Sequence, residues 1–446
     1  MYYGNHRLLK IAGFMLLLVV LFQISCSDQS SSEKDLFVKV ENGGFVRDGK
    51  PYLFMGANYW QGMNLGSTLP GGDLERMKKE LDQMQAIGIT NLRILAVSEG
   101  PDDGIYRIHP YLQDSTGQLN ENLLKGLDAL LDEMGKRNMT AIMVMNNFWP
   151  WSGGMAQYVS WHTKTPIDYP PLEGGGSWDP YQKYAARFYT LPEAIAQYNR
   201  VTEQIVKRKN SLNNKLYKDD PTIMAWELAN EPRGINQVEA FQTWIDSTAA
   251  LLKMWAPKQL VTTGAEGYTP GPAFAGTDFK KMHSGKNIDY TTAHIWIQNW
   301  AWYDPKKHDS TYPAAVDSMK AYLKIHADVS KQLNKPFVLE EFGIMKDSGQ
   351  FDPAATTLHR DTYYATVFED VYQLALQGKA SGVNFWAWAG QGRPVNPGTM
   401  WKKGDPFTGD PPHEPQGWYS VYDRDSSTHK VIKTYADKLA SIANKK

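Results

Sequence analysis

Eight short runs of β-branched and apolar residues recur along the chain, separated by longer stretches of helical periodicity. This rhythm restricts the fold more than any other feature. The runs are Leu53–Tyr59, Thr90–Leu95, Thr140–Asn147, Thr222–Asn230, Leu260–Ala265, Tyr290–Ile297, Pro336–Glu341 and Gly382–Trp388. Helices are expected over Asp73–Ile87, Glu121–Lys136, Pro192–Lys209, Val238–Met254, Ala314–Leu333, Thr356–Leu376 and near Lys430–Asn444. In the second of these, Leu123, Leu124, Leu127, Leu130 and Leu131 fall at helical spacing. Strands alternating with helices give a parallel sheet. Eight strands with no second strand block point to a closed (β/α)8 TIM barrel, an α/β fold. Phe37–Val40 and Gly44–Lys50 look like a small hairpin placed to plug the barrel floor.

Two connections are far longer than the roughly 2–6 residues usual in such units. Trp149–Thr190 follows the third strand and Gly390–Thr428 the eighth. Both leave the C-terminal ends of strands, the face where these barrels build their sites. They are rich in Gly, Pro, Trp and Tyr, and read as walls of a cleft, not as further domains.

Ahead of the barrel, His6, Arg7 and Lys10 precede an apolar run from Ile11 to Ile24 that ends at Ser25-Cys26. The run is too short and too abruptly polar at its end for a membrane span, so residues 1–25 read as a signal peptide. Cys26 is the only cysteine, which excludes an intramolecular disulfide or a CxxC metal site. Its position resembles a bacterial lipobox, although Gln23 stands where an aliphatic residue is usual. Cys26 is then the lipidation site, residues 26–35 a flexible tether and residues 36–446 the barrel domain. A monomeric, exported lipoprotein is expected, facing the periplasm or the cell surface and touching the membrane through its anchor only. The net charge of −1 with no basic stripe argues against a nucleic-acid partner. The 15 Trp and 24 Tyr suit stacking on flat, uncharged ligands such as sugars.

Chemistry concentrates at two strand ends. Trp226-Glu227-Leu228-Ala229-Asn230-Glu231-Pro232 begins as a buried strand and must stop at Pro232, which cannot donate to a ladder. That places Glu231 at the rim. Asn230 and Glu231 point to opposite faces of a regular pleat, so both enter the lumen only if the strand end is irregular. In Pro336-Phe337-Val338-Leu339-Glu340-Glu341-Phe342-Gly343 two adjacent carboxylates close an apolar strand. Alternation turns only one of Glu340 and Glu341 inward, without saying which. Two rim carboxylates are what glycoside hydrolysis requires: one protonates the leaving oxygen while the other, ionised, attacks the anomeric carbon. The chain contains no GxSxG, HExxH or strand-borne GxGxxG, which argues against serine, zinc and dinucleotide enzymes. No cofactor or metal is expected.

The Asn-Glu-Pro and Glu-Phe-Gly segments resemble those of glycoside hydrolase family 5, over Gly56 to about Trp388. The resemblance implies Glu231 as acid/base, Glu341 as nucleophile and Asn230 as a contact to the substrate 2-hydroxyl. It sets Arg93, the lone cation in Asn91-Leu92-Arg93-Ile94, beside the nucleophile. A structural pair of Arg93 with Glu227 is equally compatible. On the sixth strand His294 and Trp296 share a face. Family members carry His-x-Tyr here, with the Tyr hydroxyl on the nucleophile, so either the Trp296 indole substitutes or that contact is lost. A core role for His294 is the alternative. On the eighth strand Asn384, Trp386 and Trp388 fall on one face by alternation, and the family's Trp platform maps to Trp386, with Trp388 its rival.

Asn146-Asn147-Phe148-Trp149, Gly153-Gly154, Gln157-Tyr158-Val159 and Trp161, with Gly56-Ala57-Asn58-Tyr59-Trp60, resemble segments of the family's β-mannanases. Phe148 displaces the tryptophan by one place. Trp60 and Trp149 become candidate sugar platforms, either of which could instead be core. The resemblance implies a retaining endo-β-1,4-mannanase acting on mannan, glucomannan or galactomannan. The alternatives are a β-1,4-glucanase of the same family and a non-catalytic surface glycan-binding lipoprotein.

Overall fold

The computed structural model describes residues 1, 35–101, 107–169 and 177–443. Apart from Met1 and Asp35, the expected signal peptide and tether, with Cys26, lie outside the described residues. Eight strands form one parallel sheet: β1 (Phe54–Asn58), β2 (Asn91–Leu95), β3 (Thr140–Val144), β4 (Ile223–Glu227), β5 (Leu260–Thr262), β6 (Thr291–Ile295), β7 (Phe337–Phe342) and β8 (Gly382–Phe385). Their spatial order is β5-β4-β3-β2-β1-β8-β7-β6. The seam between β5 and β6 is bridged by backbone bonds from the Asp289 N–H to the Val261 carbonyl (2.8 Å) and from the His294 N–H to the Glu266 carbonyl (3.0 Å), which close the barrel. Every strand residue is buried, because side chains fill the lumen and helices cover the outside.

The outer helices are α1 (Leu74–Ala86), α2 (Glu121–Lys136), α3 (Pro192–Val206), α4 (Val238–Trp255), α5 (Phe279–Ser284), α6 (His308–Gln332), α7 (Leu358–Leu376) and α8 (Ser426–Ala443). Helix α1 starts where the Asp73 carboxylate accepts the Arg76 N–H at 2.9 Å, satisfying one of the donors left over in a first turn. Helix α6 begins six residues before the expected Ala314 and runs through Pro313. So near the helix start, proline removes only one backbone bond. The six residues of α5 are too few for a periodic signal, and the sequence reading has no helix there.

Several strands are shorter than their sequence runs, because the polar residues at their C-terminal ends leave the ladder to build the rim. Below, antiparallel segments Lys39–Glu41, Gly44–Arg47 and Lys50–Pro51 form the expected floor. Val38 and Phe45 pack there against Phe54, Ile142, Met224, Tyr290 and Val338, an apolar plug in the lumen.

The connection after β3 carries helices Gly154–Thr163 and Asp179–Ala186. Gly153 and Gly154 have φ of +96° and +65°, and a Cβ on them would come within 2.4 Å of the Glu99 carbonyl and 2.2 Å of the Asn147 carbonyl. Only glycine fits both places. The connection after β8 has no helix before α8. It is folded on the buried Asp410, whose carboxylate accepts the N–H groups of Gly417 (2.8 Å) and Tyr419 (2.6 Å) and the Ser420 hydroxyl (2.5 Å).

Candidate active site

Beyond Glu227 the β4 chain leaves its ladder, and Glu231 adopts φ +50°. This break in the pleat turns both Asn230 and Glu231 into the cavity above the barrel. The neighbouring strand makes room for it: Gly264 has φ +75°, its carbonyl accepts the Glu231 N–H at 2.9 Å, and a Cβ there would lie 2.2 Å from Glu227 Oε1.

On β7 the alternation rule fails. Glu340 and Glu341 both reach the interior, because the β6–β7 register shifts between Leu339 and Glu341. Glu341 lines the cavity. Glu340 lies below it, accepting a bond from the Tyr290 hydroxyl (3.3 Å).

Arg93 ties these layers together. It donates to Glu227 through Nε (2.8 Å) and Nη2 (2.5 Å), to Asn230 Oδ1 (2.8 Å) and Asn58 Oδ1 (3.0 Å), and to Glu341 in a short contact. Both expected roles therefore hold at once: it pairs with Glu227 and it touches Glu341. The Asn230 amide is spent at its other end on Asn147 Oδ1 (3.1 Å).

Oxygens of Glu231 and Glu341 and a ring nitrogen of His294 lie within 4.8 Å of one another. His294 Nδ1 is 2.7 Å from Glu231 Oε1 and 3.3 Å from Glu341 Oε2. Among the described residues this is also the only His–carboxylate trio close enough to share a metal ion. Its nitrogen is already committed to Glu231, an arrangement suited to a proton. Trp296 does not replace the family's tyrosine on the nucleophile: its indole N–H faces Glu231 Oε1 at 3.3 Å. The other Glu231 oxygen accepts the Trp149 indole N–H at 2.5 Å.

Two buried carboxylates this close do not both ionise freely. Burial pushes Glu341 up to about 8, against the lowering charges of His294 and Arg93. Burial also raises Glu231. The His294 bond and charge, with Arg233 and the Trp149 N–H, outweigh that and hold it down at about 2. The Arg93 contact favours an ionised Glu341 while burial favours a neutral one. The pair titrates as a unit and keeps one shared proton across the neutral range. Activity depending on that proton should fall as pH rises through about 8. Trp149→Phe removes a donor to the ionised Glu231, so its carboxyl should rise. The acidic limb of kcat/KM should then move to higher pH, as a pH–rate series measures. An unmoved acidic limb would mean the indole does not tune Glu231.

The aromatic expectations divide. Trp386 lines the cavity, whereas Trp388 is fully buried and stacks on His429 at 5.2 Å. They do not share a face, because β8 ends at Phe385 and Trp388 pairs separately with Val421. Trp60 is not a platform. It is 2% exposed, with Phe407 and Trp151 packed edge-on and its N–H on the Gly409 carbonyl (2.9 Å), so it props the β8 loop. Trp149 does line the cavity, but Arg233 sits 5.0 Å over its ring and Tyr181 lies parallel at 6.4 Å. Its N–H is what it offers.

Sequence reasoning missed Glu266, Arg233 and Glu414. Arg233 grips Glu266 with two bonds (2.7 and 2.9 Å). Glu266, the residue directly after the expected fifth run Leu260–Ala265, was detectable as a rim carboxylate. Glu414 sits in the β8 loop with Oε2 unpartnered, and no local pattern marks it.

Residues 35–444 match the family described as GH family 5 β-mannosidase-like. The chain belongs to glycoside hydrolase family 5. This family 5 chain superposes on a glycoside hydrolase family 5 mannosidase from Rhizomucor miehei with a TM-score of 0.86 and 42% identity, over 93% of this chain and 100% of that one. A variant of the Rhizomucor miehei mannosidase in complex with mannosyl-fructose gives 0.85 and 41%, over 93% and 99%. Mannan endo-1,4-beta-mannosidase 1 of Oryza sativa is 30% identical over 367 residues, 78% of each chain.

Proposed function

We propose that this chain is a retaining, exo-acting β-mannosidase that removes mannose from chain ends of β-mannosides. In this reading Glu341 attacks the anomeric carbon, and the leaving oxygen departs as Glu231 gives it a proton. Glu231 then deprotonates the water that releases mannose from Glu341. The spacing of the two carboxylates supports retention, for which about 5–5.5 Å is typical. Arg93 orients Glu341 and holds Asn230 by its Oδ1 beside it at the cavity wall.

One observation favours a chain end over a mid-chain stretch. The cavity holds about 560 Å³, in the roughly 300–1,000 Å³ range of small-ligand sites. Its two loop walls touch: Trp178 from the β3 connection packs edge-on against His413 from the β8 connection, at 6.0 Å. A wall carrying His413, Glu414 and Trp418 beside the catalytic pair suits a terminal sugar more than a threading polymer. The resemblance to a family 5 mannosidase agrees. Endo-mannanase action is the second reading, favoured by the name of the rice relative.

Linear β-1,4-mannan and mannohexaose separate the two. Exo action releases mannose from the first time point with viscosity nearly constant. Endo action drops viscosity early and yields oligosaccharides. Hydrolysis of carboxymethyl cellulose instead would overturn the mannoside reading. Attachment outside the cytoplasm through a lipid on Cys26 belongs to the same proposal and is supported by the N-terminal sequence alone.

A further inference from the structure

Behind the catalytic pair lies a third carboxylate that the proposed reaction does not use. Glu340 is fully buried, one layer below Glu341. Its Oε2 finds no hydrogen-bond partner, and neither does Nε2 of the fully buried His294. These two atoms face each other at 3.8 Å. On its opposite edge, the same imidazole reaches both Glu231 and Glu341 through Nδ1.

The titratable and charged groups around Glu340 come from β2, β4 and the β6 segment. Arg93 on β2 holds Nε at 3.9 Å, Tyr290 just before β6 donates its hydroxyl, and His294 stands on β6. Glu227 on β4 shares the Arg93 guanidinium and feels the Glu340 charge. Arg93 is already committed to Glu227, Glu341, Asn58 and Asn230. The Glu340 charge is therefore left to act mainly on the imidazole.

We propose that Glu340 is a positioning residue that holds His294 as a doubly protonated imidazolium, so that Nδ1 always carries a proton between the two catalytic carboxylates. A neutral imidazole could carry its one proton on Nε2, leaving Nδ1 as a lone pair facing two carboxylate oxygens. With Glu340 beneath it, Nε2–H is satisfied electrostatically and Nδ1–H is retained for the pair. Nδ1 can then give its proton to one carboxylate and receive one from the other, so the shared proton moves from Glu341 to Glu231 with no change in total charge. His294 is accordingly raised to about 10, against burial, by the Glu341 charge, by the bond to Glu231 and by the Glu340 carboxylate beneath it. The inference rests on Glu231 and Glu341 being the catalytic pair.

The test is Glu340→Gln beside wild type, with kcat and KM for mannotriose, whose leaving sugar needs a proton, followed from pH 4 to 10. Removing one buried negative charge lowers proton affinity across the cluster. The alkaline limb of kcat/KM should move down by about one pH unit, with kcat lowered and KM nearly unchanged, because Glu340 does not line the cavity. Equal loss at every pH with the alkaline limb in place would mean a purely structural role and would overturn the proposal. Should the variant fail to fold, ¹⁵N-histidine NMR of the wild-type enzyme at pH 7 decides. The His294 signals, assigned by their loss in His294→Gln, should show both ring nitrogens protonated, and an unprotonated Nε2 would overturn the proposal. Activity surviving in Glu231→Gln and Glu341→Gln would instead defeat the underlying catalytic assignment.

Discussion

Glu231→Ala and Glu341→Ala should each abolish turnover of mannooligosaccharides, and sodium azide should rescue them with opposite stereochemistry. Glu231→Ala removes the proton donor, a loss of about 10²–10⁴-fold on substrates with poor leaving groups. An aryl β-mannoside needs little protonation, so Glu341 still forms the glycosyl-enzyme. Azide, which needs no general base, then attacks from the face the aglycone left, giving the β-mannosyl azide. Glu341→Ala removes the bond-forming group, with a loss on the order of 10⁵-fold. Here azide takes the place of the missing carboxylate on the opposite face and gives the α-mannosyl azide. The geometry makes this swap feasible, since oxygens of the two carboxylates lie within 4.8 Å of one another. Proton NMR of the products reads the anomeric configuration directly. A β-azide from Glu341→Ala would exchange the two roles. Undiminished activity in either variant would remove that residue from the reaction.

The two carboxylates were legible because each ends an apolar strand, a local pattern of consecutive residues. The barrel was legible for the same reason: strand and helix periodicities are short-range signals. What stayed hidden depends on small breaks of regularity. Strict alternation made Glu340 and Glu341 exclusive, and a register shift against β6 brings both inside. The β8 pattern put Trp386 and Trp388 on one face, and the strand stops at Phe385, before either of them. Trp60 looked like a platform from its place after β1, yet its environment is set by Phe407 and the Gly409 carbonyl, almost 350 residues away. Glu414 lies in a loop whose shape is dictated by Asp410 bonds within the loop itself, for which no residue period exists. Local chemistry thus announced the pair, while long-range packing decided which aromatic and acidic side chains surround it.

Arg93→Met should cost stability as well as activity, and the stability cost should depend on pH. The side chain is 2% exposed and compensates Glu227 and Glu341 directly, with Glu340 at 3.9 Å. Methionine fills much of the volume but leaves these carboxylates in a buried site without their cation. Breaking a buried pair in this way typically costs about 3–5 kcal/mol. The sign with pH follows from the carboxyls. Even with Arg93 present, burial followed by the opposing Arg93 charge leaves Glu227 raised to about 7, and Glu341 is raised to about 8. Without the guanidinium both should rise further. A carboxyl raised in the folded state is no burden below its unfolded value of about 4.3. Its contribution to stability is lost as pH climbs from there through the folded value. The difference between variant and wild type should therefore stay flat from pH 4.5 to about 7, where both proteins hold these carboxyls neutral, and grow above that as only the wild type ionises them, as urea denaturation at pH 4.5 and 8 measures. Glu227→Gln added to Arg93→Met should recover part of the loss at pH 8 and little at pH 4.5, because it removes one uncompensated charge. A deficit equal at both pH values, unchanged by the second substitution, would mean that Arg93 stabilises the barrel through packing and not through its charge.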